Sequence, residues 1–149
     1  MTGKELNGLG VLVTGGGTGI GKACATSLVL SGASVTICGR TEQRLQEAQE
    51  EIARRYGGDS TIQYRICDVT EEDQVAETVT AAALLTGELN GVVANAGGGG
   101  AIAPYDLQDL EEFTRVLHLN VLGTMLCVKH SVPHMRKAGG GSFVGMSSI

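Results

Sequence analysis

Val11-Leu12-Val13-Thr14-Gly15-Gly16-Gly17-Thr18-Gly19-Ile20-Gly21 sets the frame for the whole chain. Three apolar residues predict a short buried strand, a glycine loop follows, and a helical pattern opens at Gly19. A strand entering a glycine turn at a helix start is a phosphate site. The first N–H groups of the helix have no partner within it, and the helix dipole adds partial positive charge. Without a Cβ, each glycine lets the backbone approach a pyrophosphate or adopt a positive φ. The plainer reading is a tight βα turn, but the flanking strand and helix favour nucleotide binding. Gly16 to Lys22 also spells most of a G-x-x-x-x-G-K phosphate loop, yet Ala23 stands where Ser or Thr would hold Mg²⁺. No later strand ends in an aspartate suited to the second Mg²⁺ position, so phosphoryl transfer is the minority reading.

The bulk properties bound the partners. With 149 residues the chain is one domain's worth, able to bury about two-thirds of its unfolded surface. Its 42 % hydrophobic and 18 % charged content is that of a globular protein. A net charge of −5 and a pI near 5.1 argue against nucleic acid or an anionic membrane as partner. Met1-Thr2-Gly3-Lys4-Glu5 lacks the apolar core of a signal peptide, and no apolar run could span a bilayer. The expected location is therefore cytoplasmic. Cys24, Cys38, Cys67 and Cys127 form no C-x-x-C pair and each lies in an apolar stretch, which predicts buried reduced thiols. His130 and His134 have metal-ligand spacing, but Pro133 intervenes and no H-E-x-x-H accompanies them. No metal site is expected, and these histidines read as solvated.

Apolar runs alternate with helical patterns along the chain, the mark of βαβ units and a parallel sheet. After the glycine loop, Ile20, Cys24, Ser27, Leu28 and Ser31 trace one face of a small-residue helix that Gly32 ends. Ser34-Val35-Thr36-Ile37-Cys38 is the second strand. A helix from Thr41 turns Leu45, Ala48, Ile52 and Tyr56 inward until Gly57-Gly58, with its charges, Arg44 among them, on a solvated face. Ile62 to Cys67 is the third strand, after which Thr70 and Asp73 spell a capping box. Gly91-Val92-Val93-Ala94 is the fourth strand. A glycine-rich loop leads to a long helix from roughly Leu107 to Lys137, bent or broken near Gly123 and Pro133. Ser142 to Met146 is the fifth strand.

Five strands in this arrangement predict a doubly wound parallel α/β sheet of Rossmann type in order 3-2-1-4-5, a single dinucleotide-binding domain over 1–149. Ligands then sit outside the carboxyl ends of the strands, where Gly15, Arg40, Asp68, Asn95 and Ser148 gather. The spacing Thr14-Gly15-x-x-x-Gly19-x-Gly21 resembles the fingerprint of the short-chain dehydrogenase/reductase family. Asp68-Val69 is similar to the family's adenine-holding pair, and Asn95-Ala96-Gly97 to its N-A-G motif, with Ala94 replacing the usual preceding Asn. The resemblance implies that Gly15, Thr18, Gly19, Ile20 and Gly21 hold the pyrophosphate end. Asp68 and Val69 would take the adenine, and Asn95, Ala96 and Gly97 the ribose and nicotinamide side.

Arg40 selects the cofactor. An NAD site wants a carboxylate at the end of the second strand to accept from the ribose 2′-hydroxyl, and Cys38-Gly39-Arg40 supplies none. A guanidinium there can bind a 2′-phosphate through charge-assisted hydrogen bonds. Placed instead as an ordinary surface arginine at a helix start, it would oppose the dipole. NADP is thus expected over NAD, although Thr18 stands where many NADP-binding relatives have a second basic residue.

On the long helix, Phe113, Leu117, Asn120, Thr124 and Cys127 recur at spacings of three and four, which predicts an inward stripe carrying an amide that must find partners. In Leu119-Asn120-Val121 it resembles the family's helix asparagine, part of a proton relay through a bound water. Ser148, before Ile149, resembles the catalytic serine, whose hydrogen bond stabilises a developing alkoxide; Ser147 is the weaker candidate. The family's Tyr-x-x-x-Lys pair is absent, since Tyr56, Tyr64 and Tyr105 have no lysine four residues on. The resemblance covers essentially this whole chain but about the first three-fifths of a typical member. It implies an NADP(H)-dependent oxidoreductase interconverting a carbonyl and a secondary alcohol, a 3-oxoacyl-thioester reductase being one possibility. Binding without turnover is expected of these residues alone, with an exposed sheet edge and apolar surface. A homo-oligomer, tetramer or dimer, is expected from the resemblance. A non-catalytic nucleotide-binding module is the alternative, which has no use for Asn120 and Ser148.

Overall fold

The structure, a computed structural model, describes residues 5–56 and 61–147. Strands β1 (Gly10–Thr14), β2 (Ser34–Gly39), β3 (Ile62–Ile66), β4 (Gly91–Ala94) and β5 (Ser142–Gly145) form one parallel sheet in the order β3-β2-β1-β4-β5. Its register sets Val11 beside Val35 and Gly91, and Val13 beside Ile37 and Val93. Successive side chains of a strand face opposite ways. Accordingly Val11 and Val13 enter the core under α1 (Gly19–Leu30) and α2 (Glu42–Tyr56), while Leu12 enters the core under α3 (Glu72–Thr86) and α5 (Gly123–Lys137). All five residues of β1 are buried, as the central strand of a two-sided sheet requires. The fold class and strand order expected from the sequence are those found.

Local details depart from the sequence reading. In α1 the buried face is Gly21, Ala25 and Val29, whereas Ile20 is 62 % exposed and Ser27 is exposed. The helix lies so close to the sheet that small residues, and not the larger apolar ones, occupy the contact line. Leu45, Ala48 and Ile52 of α2 are buried as expected, but Tyr56 is exposed. Gly57 and Gly58, expected to end that helix, lie outside the described residues. Thr70 does not cap α3. Its hydroxyl donates to Asp68 Oδ1 at 2.7 Å, and Glu71 takes the cap position without a side-chain bond. Asp68 Oδ1 accepts from the Thr70 N–H at 3.0 Å as well, which holds Thr70 in a turn centred on Asp68, and the helix begins after it.

The long helix begins later than expected. Tyr105–Leu107 is a separate tight turn, and Asp109 caps α4 (Leu110–Leu117) by accepting from Glu111 N at 2.9 Å and Glu112 N at 3.4 Å. A wider π-type turn, His118–Leu122, joins α4 to α5. The expected disturbance near Gly123 is this turn, and α5 runs through the exposed Pro133 unbroken. Phe113 and Leu117, expected to face inward, are 54 % and 44 % exposed; Cys127 is buried. No described helix is long and apolar enough to cross a membrane.

Candidate functional site

The carboxyl ends of β1 to β4 surround a cleft of about 400 Å³. Beneath it lies Thr14, the last residue of β1. The buried Thr14 hydroxyl accepts from the N–H groups of Asn95 at 3.0 Å and Ala96 at 2.9 Å, tying the end of β1 to the chain leaving β4. The Asn95 amide returns the connection, donating to the Thr14 and Gly15 carbonyls at 3.1 and 3.3 Å. This side chain therefore braces the glycine loop.

Two glycines are dictated by that bracing. Gly15 has φ +66°, and a Cβ there would stand 2.8 Å from the Asn95 amide nitrogen. A Cβ on Gly21 would run into the Gly15 carbonyl oxygen and lie 2.5 Å from the same amide. Gly21 thus seats the first turn of α1 against the loop. Thr18 stands at the N-cap of α1 with no side-chain capping bond, and no acidic residue occupies the first turn.

Beside the loop, Gly39, Arg40, Thr41 and Arg44 form the wall at the end of β2. Neither arginine has an ion-pair partner within 4 Å among the described residues, although Arg40 acts at longer range on Asp68. Partial burial pushes the Asp68 carboxyl up. The Thr70 N–H and hydroxyl, with the Arg40 guanidinium, outweigh it and leave the group below its ordinary value.

The structure brings Gly15, Thr18, Gly19, Ile20, Arg40, Asp68, Val69, Asn95, Ala96 and Gly97 onto this one cleft, with Gly21 packed directly behind it. Asn120 differs from its reading as a buried amide: it is exposed. Its side chain clasps Gly98, accepting from the N–H at 3.1 Å and donating to the carbonyl at 2.7 Å, and also donates to Val116 O at 2.9 Å. It stands beside the cleft residue Gly97 without lining the cleft. Ser148 lies outside the described residues.

Sequence reasoning quoted Thr14 only as part of the fingerprint and passed over Thr41 and Arg44 as site residues. Arg44 lies in the first turn of α2, just past the end of β2, where the chain leaves a strand end; Thr14 is a polar residue ending an otherwise apolar strand. Of the histidines, His130 is half-buried with Nε2 at 2.9 Å from Glu72 Oε1, so it is not simply solvated. No group of three or more potential metal ligands occurs among the described residues.

A family model described as short chain dehydrogenase matches residues 10–149. The chain belongs to that family. It is 39 % identical over 140 residues to cis-4-hydroxycyclohexanecarboxylate dehydrogenase of Sinomonas cyclohexanicum, covering 93 % of this chain and 54 % of the relative. A short-chain type dehydrogenase/reductase from Mycobacterium ulcerans superposes with a TM-score of 0.94 at 44 % identity, covering 97 % of this chain and 53 % of the other. An NAD⁺-bound xylitol dehydrogenase superposes with a TM-score of 0.87 at 29 % identity, covering 93 % and 52 %. The chain thus spans about half the length of the curated relatives it matches. Family members use nicotinamide dinucleotides, and these relatives are dehydrogenases that act on small molecules.

Proposed function

We propose that this chain forms the dinucleotide-binding half of an NADP(H)-dependent oxidoreductase that interconverts a carbonyl and a secondary alcohol. The observation that carries the cofactor choice is the end of β2: Gly39 and Arg40 stand on the cleft, with no carboxylate to accept from a ribose 2′-hydroxyl. The glycine cradle fits a pyrophosphate, since a Cβ at Gly15 or Gly21 would fill or distort it. In this reading the loop Gly15, Thr18, Gly19, Ile20 and Gly21 presents N–H groups to the pyrophosphate. Arg40 pairs with the 2′-phosphate, Asp68 and Val69 hold the adenine, and Asn95, Ala96 and Gly97 face the nicotinamide ribose.

The bound nicotinamide would supply or accept the hydride. The role proposed for Asn120 is to pass a proton through water while holding Gly98, and that for Ser148 is to donate to the developing alkoxide. The substrate is a small carbonyl compound or alcohol, 3-oxoacyl thioesters included. A cytoplasmic homo-oligomer belongs to the same reading, the oligomer resting on the resemblance to the family. The dehydrogenase relatives favour this over a binding-only module.

Arg40→Gln tests the cofactor choice. Losing a charge-assisted pair worth about 1.5–3 kcal/mol should weaken NADP⁺ binding by about ten- to a hundredfold. NAD⁺ binding should be unchanged or improved, with both read by titration calorimetry. Equal weakening of both would contradict the assignment of Arg40.

A further inference from the structure

The cleft wall at the end of β2 carries a pair of guanidiniums: Arg40, directly after the strand, and Arg44, in the first turn of α2. Only Arg40 has so far been given a role. The glycine loop packs directly against Arg44, since a Cβ on Gly17 would stand 3.4 Å from the Arg44 carbonyl carbon and from the Leu45 nitrogen. That contact sets Arg44 where the loop and the β2 wall meet on one cleft. Its own helix gains nothing from it there, because a cation in the first turn opposes the dipole.

Acids are close at hand, and none takes it. α2 carries Glu42, Glu47, Glu50 and Glu51, and each carboxylate is bonded to another group. Glu42 accepts from the Tyr64 hydroxyl at 3.2 Å, Glu47 from Gln43 at 2.9 Å, Glu50 from Gln46 at 2.9 Å, and Glu51 from Lys22 at 2.6 Å. Glu47, three residues on, is the neighbour a helical arginine would ordinarily meet. Gln43 holds it instead, and Arg44 forms no ion pair within 4 Å among the described residues. None of these four carboxylates lines the cleft. The acid that does, Asp68, is engaged through Oδ1 by the Thr70 N–H at 3.0 Å and hydroxyl at 2.7 Å.

Two unpaired cations on one wall repel each other unless an anion lies with them. A phosphate monoester suits that role: it carries a charge of about −1.5 to −2 at pH 7 and three acceptor oxygens. Each guanidinium can present its own fork of N–H donors to those oxygens. A second cation also favours the fully charged form of the phosphate, which lowers its second pKa.

We propose that Arg44 is a second cofactor-selecting residue, which clamps the 2′-phosphate of NADP(H) together with Arg40. This rests on the reading of the cleft as a dinucleotide site with its 2′-phosphate end at Arg40. A guanidinium that instead lay on the adenine ring would serve NADP(H) and NAD(H) alike, so the ratio of the two affinities separates the roles.

The test is titration calorimetry of NADP⁺ and NAD⁺ with the 149-residue chain and with Arg44→Gln. Glutamine is a good helix former and the position is exposed, so the urea midpoint should match the parent's. NADP⁺ should bind about three- to tenfold more weakly at low salt, as expected for an exposed charge-assisted contact, and the loss should shrink as salt rises. NAD⁺ binding should be unchanged, and Arg44→Lys should recover part of the loss. The ³¹P resonance of the bound 2′-phosphate should titrate below the value of about 6 usual for a phosphate monoester, and move back toward it in Arg44→Gln. Equal weakening of NADP⁺ and NAD⁺ overturns the proposal, as does an unchanged NADP⁺ affinity. In both cases an NADP⁺-selective loss in Arg40→Gln leaves the dinucleotide reading standing. A parent chain that binds neither nucleotide overturns that reading and the proposal with it.

Discussion

The glycine-loop edge of the sheet and the helix running from Leu110 to Lys137 contrast sharply in how far they are covered. Leu12 and Val13 of β1 are 1 % and 0 % exposed, and the loop that follows is braced by Thr14 and Asn95. On the helix, Phe113, Val121 and Met125 are 54, 56 and 57 % exposed, and the preceding loop leaves Ile102 and Tyr105 open. At the sheet's β5 edge only Phe143 is half-buried. A cleft at strand ends needs only β1 to β4 and the turns that leave them, all within this chain. The helix carries an apolar stripe, which by its nature marks a face to be covered without stating by what.

Truncating one residue from each region puts that contrast to a number. Leu12→Ala opens a cavity between the sheet and the α3/α5 layer and should cost about 2–5 kcal/mol, read as a lower urea midpoint. A smaller effect is expected at the brace. Thr14→Val leaves the Asn95 and Ala96 N–H groups without their acceptor, which should cost about 1–3 kcal/mol and weaken cofactor binding in the same titration. Phe113→Ser removes an exposed ring and should change stability by less than about 0.5 kcal/mol. A Phe113 effect as large as that of Leu12 would mean the helix is covered after all.

The smallest expected effect is on pH dependence. Glu72 is held below its ordinary value by the hydrogen bond from Lys129 and then by His130, across the contact between α3 and α5. A carboxylate with a depressed folded value stabilises fully above its ordinary 4.5 and loses that contribution as pH falls below it. Glu72→Gln should therefore narrow the difference in melting temperature between about pH 6 and about pH 3. An unchanged difference would remove Glu72 from the account.

The parts legible in the sequence are those governed by short-range pattern. Alternating buried runs and helical stripes indicated a parallel α/β sheet, the order 3-2-1-4-5 came with its Rossmann-type reading, and the glycine spacing after Val13 located the cleft with Arg40 and Asp68 on its rim. What escaped depends on distances between elements. The contact line of α1 runs through Gly21, Ala25 and Val29 because the helix approaches the sheet closely, a fact no hydropathy pattern contains. Thr70 looks like a cap, but its N–H and hydroxyl both donate to Asp68, which holds it in the turn before the helix. Asn120 lies on a stripe that reads as buried but is open, and finds its partners in Gly98, a loop residue 22 positions away. Arg44 reads as part of a solvated face until the fold turns it toward the cleft beside Arg40.

The most direct test of the central claim is amide chemical-shift mapping of the isotope-labelled chain titrated with NADP⁺. The account predicts saturable shifts at Gly17, Thr18, Gly19 and Ile20, at Arg40 and Thr41, and at Asp68, which together outline the cleft. Absent shifts, or shifts confined to another surface such as the hollow beside Glu88 and His134, would contradict it.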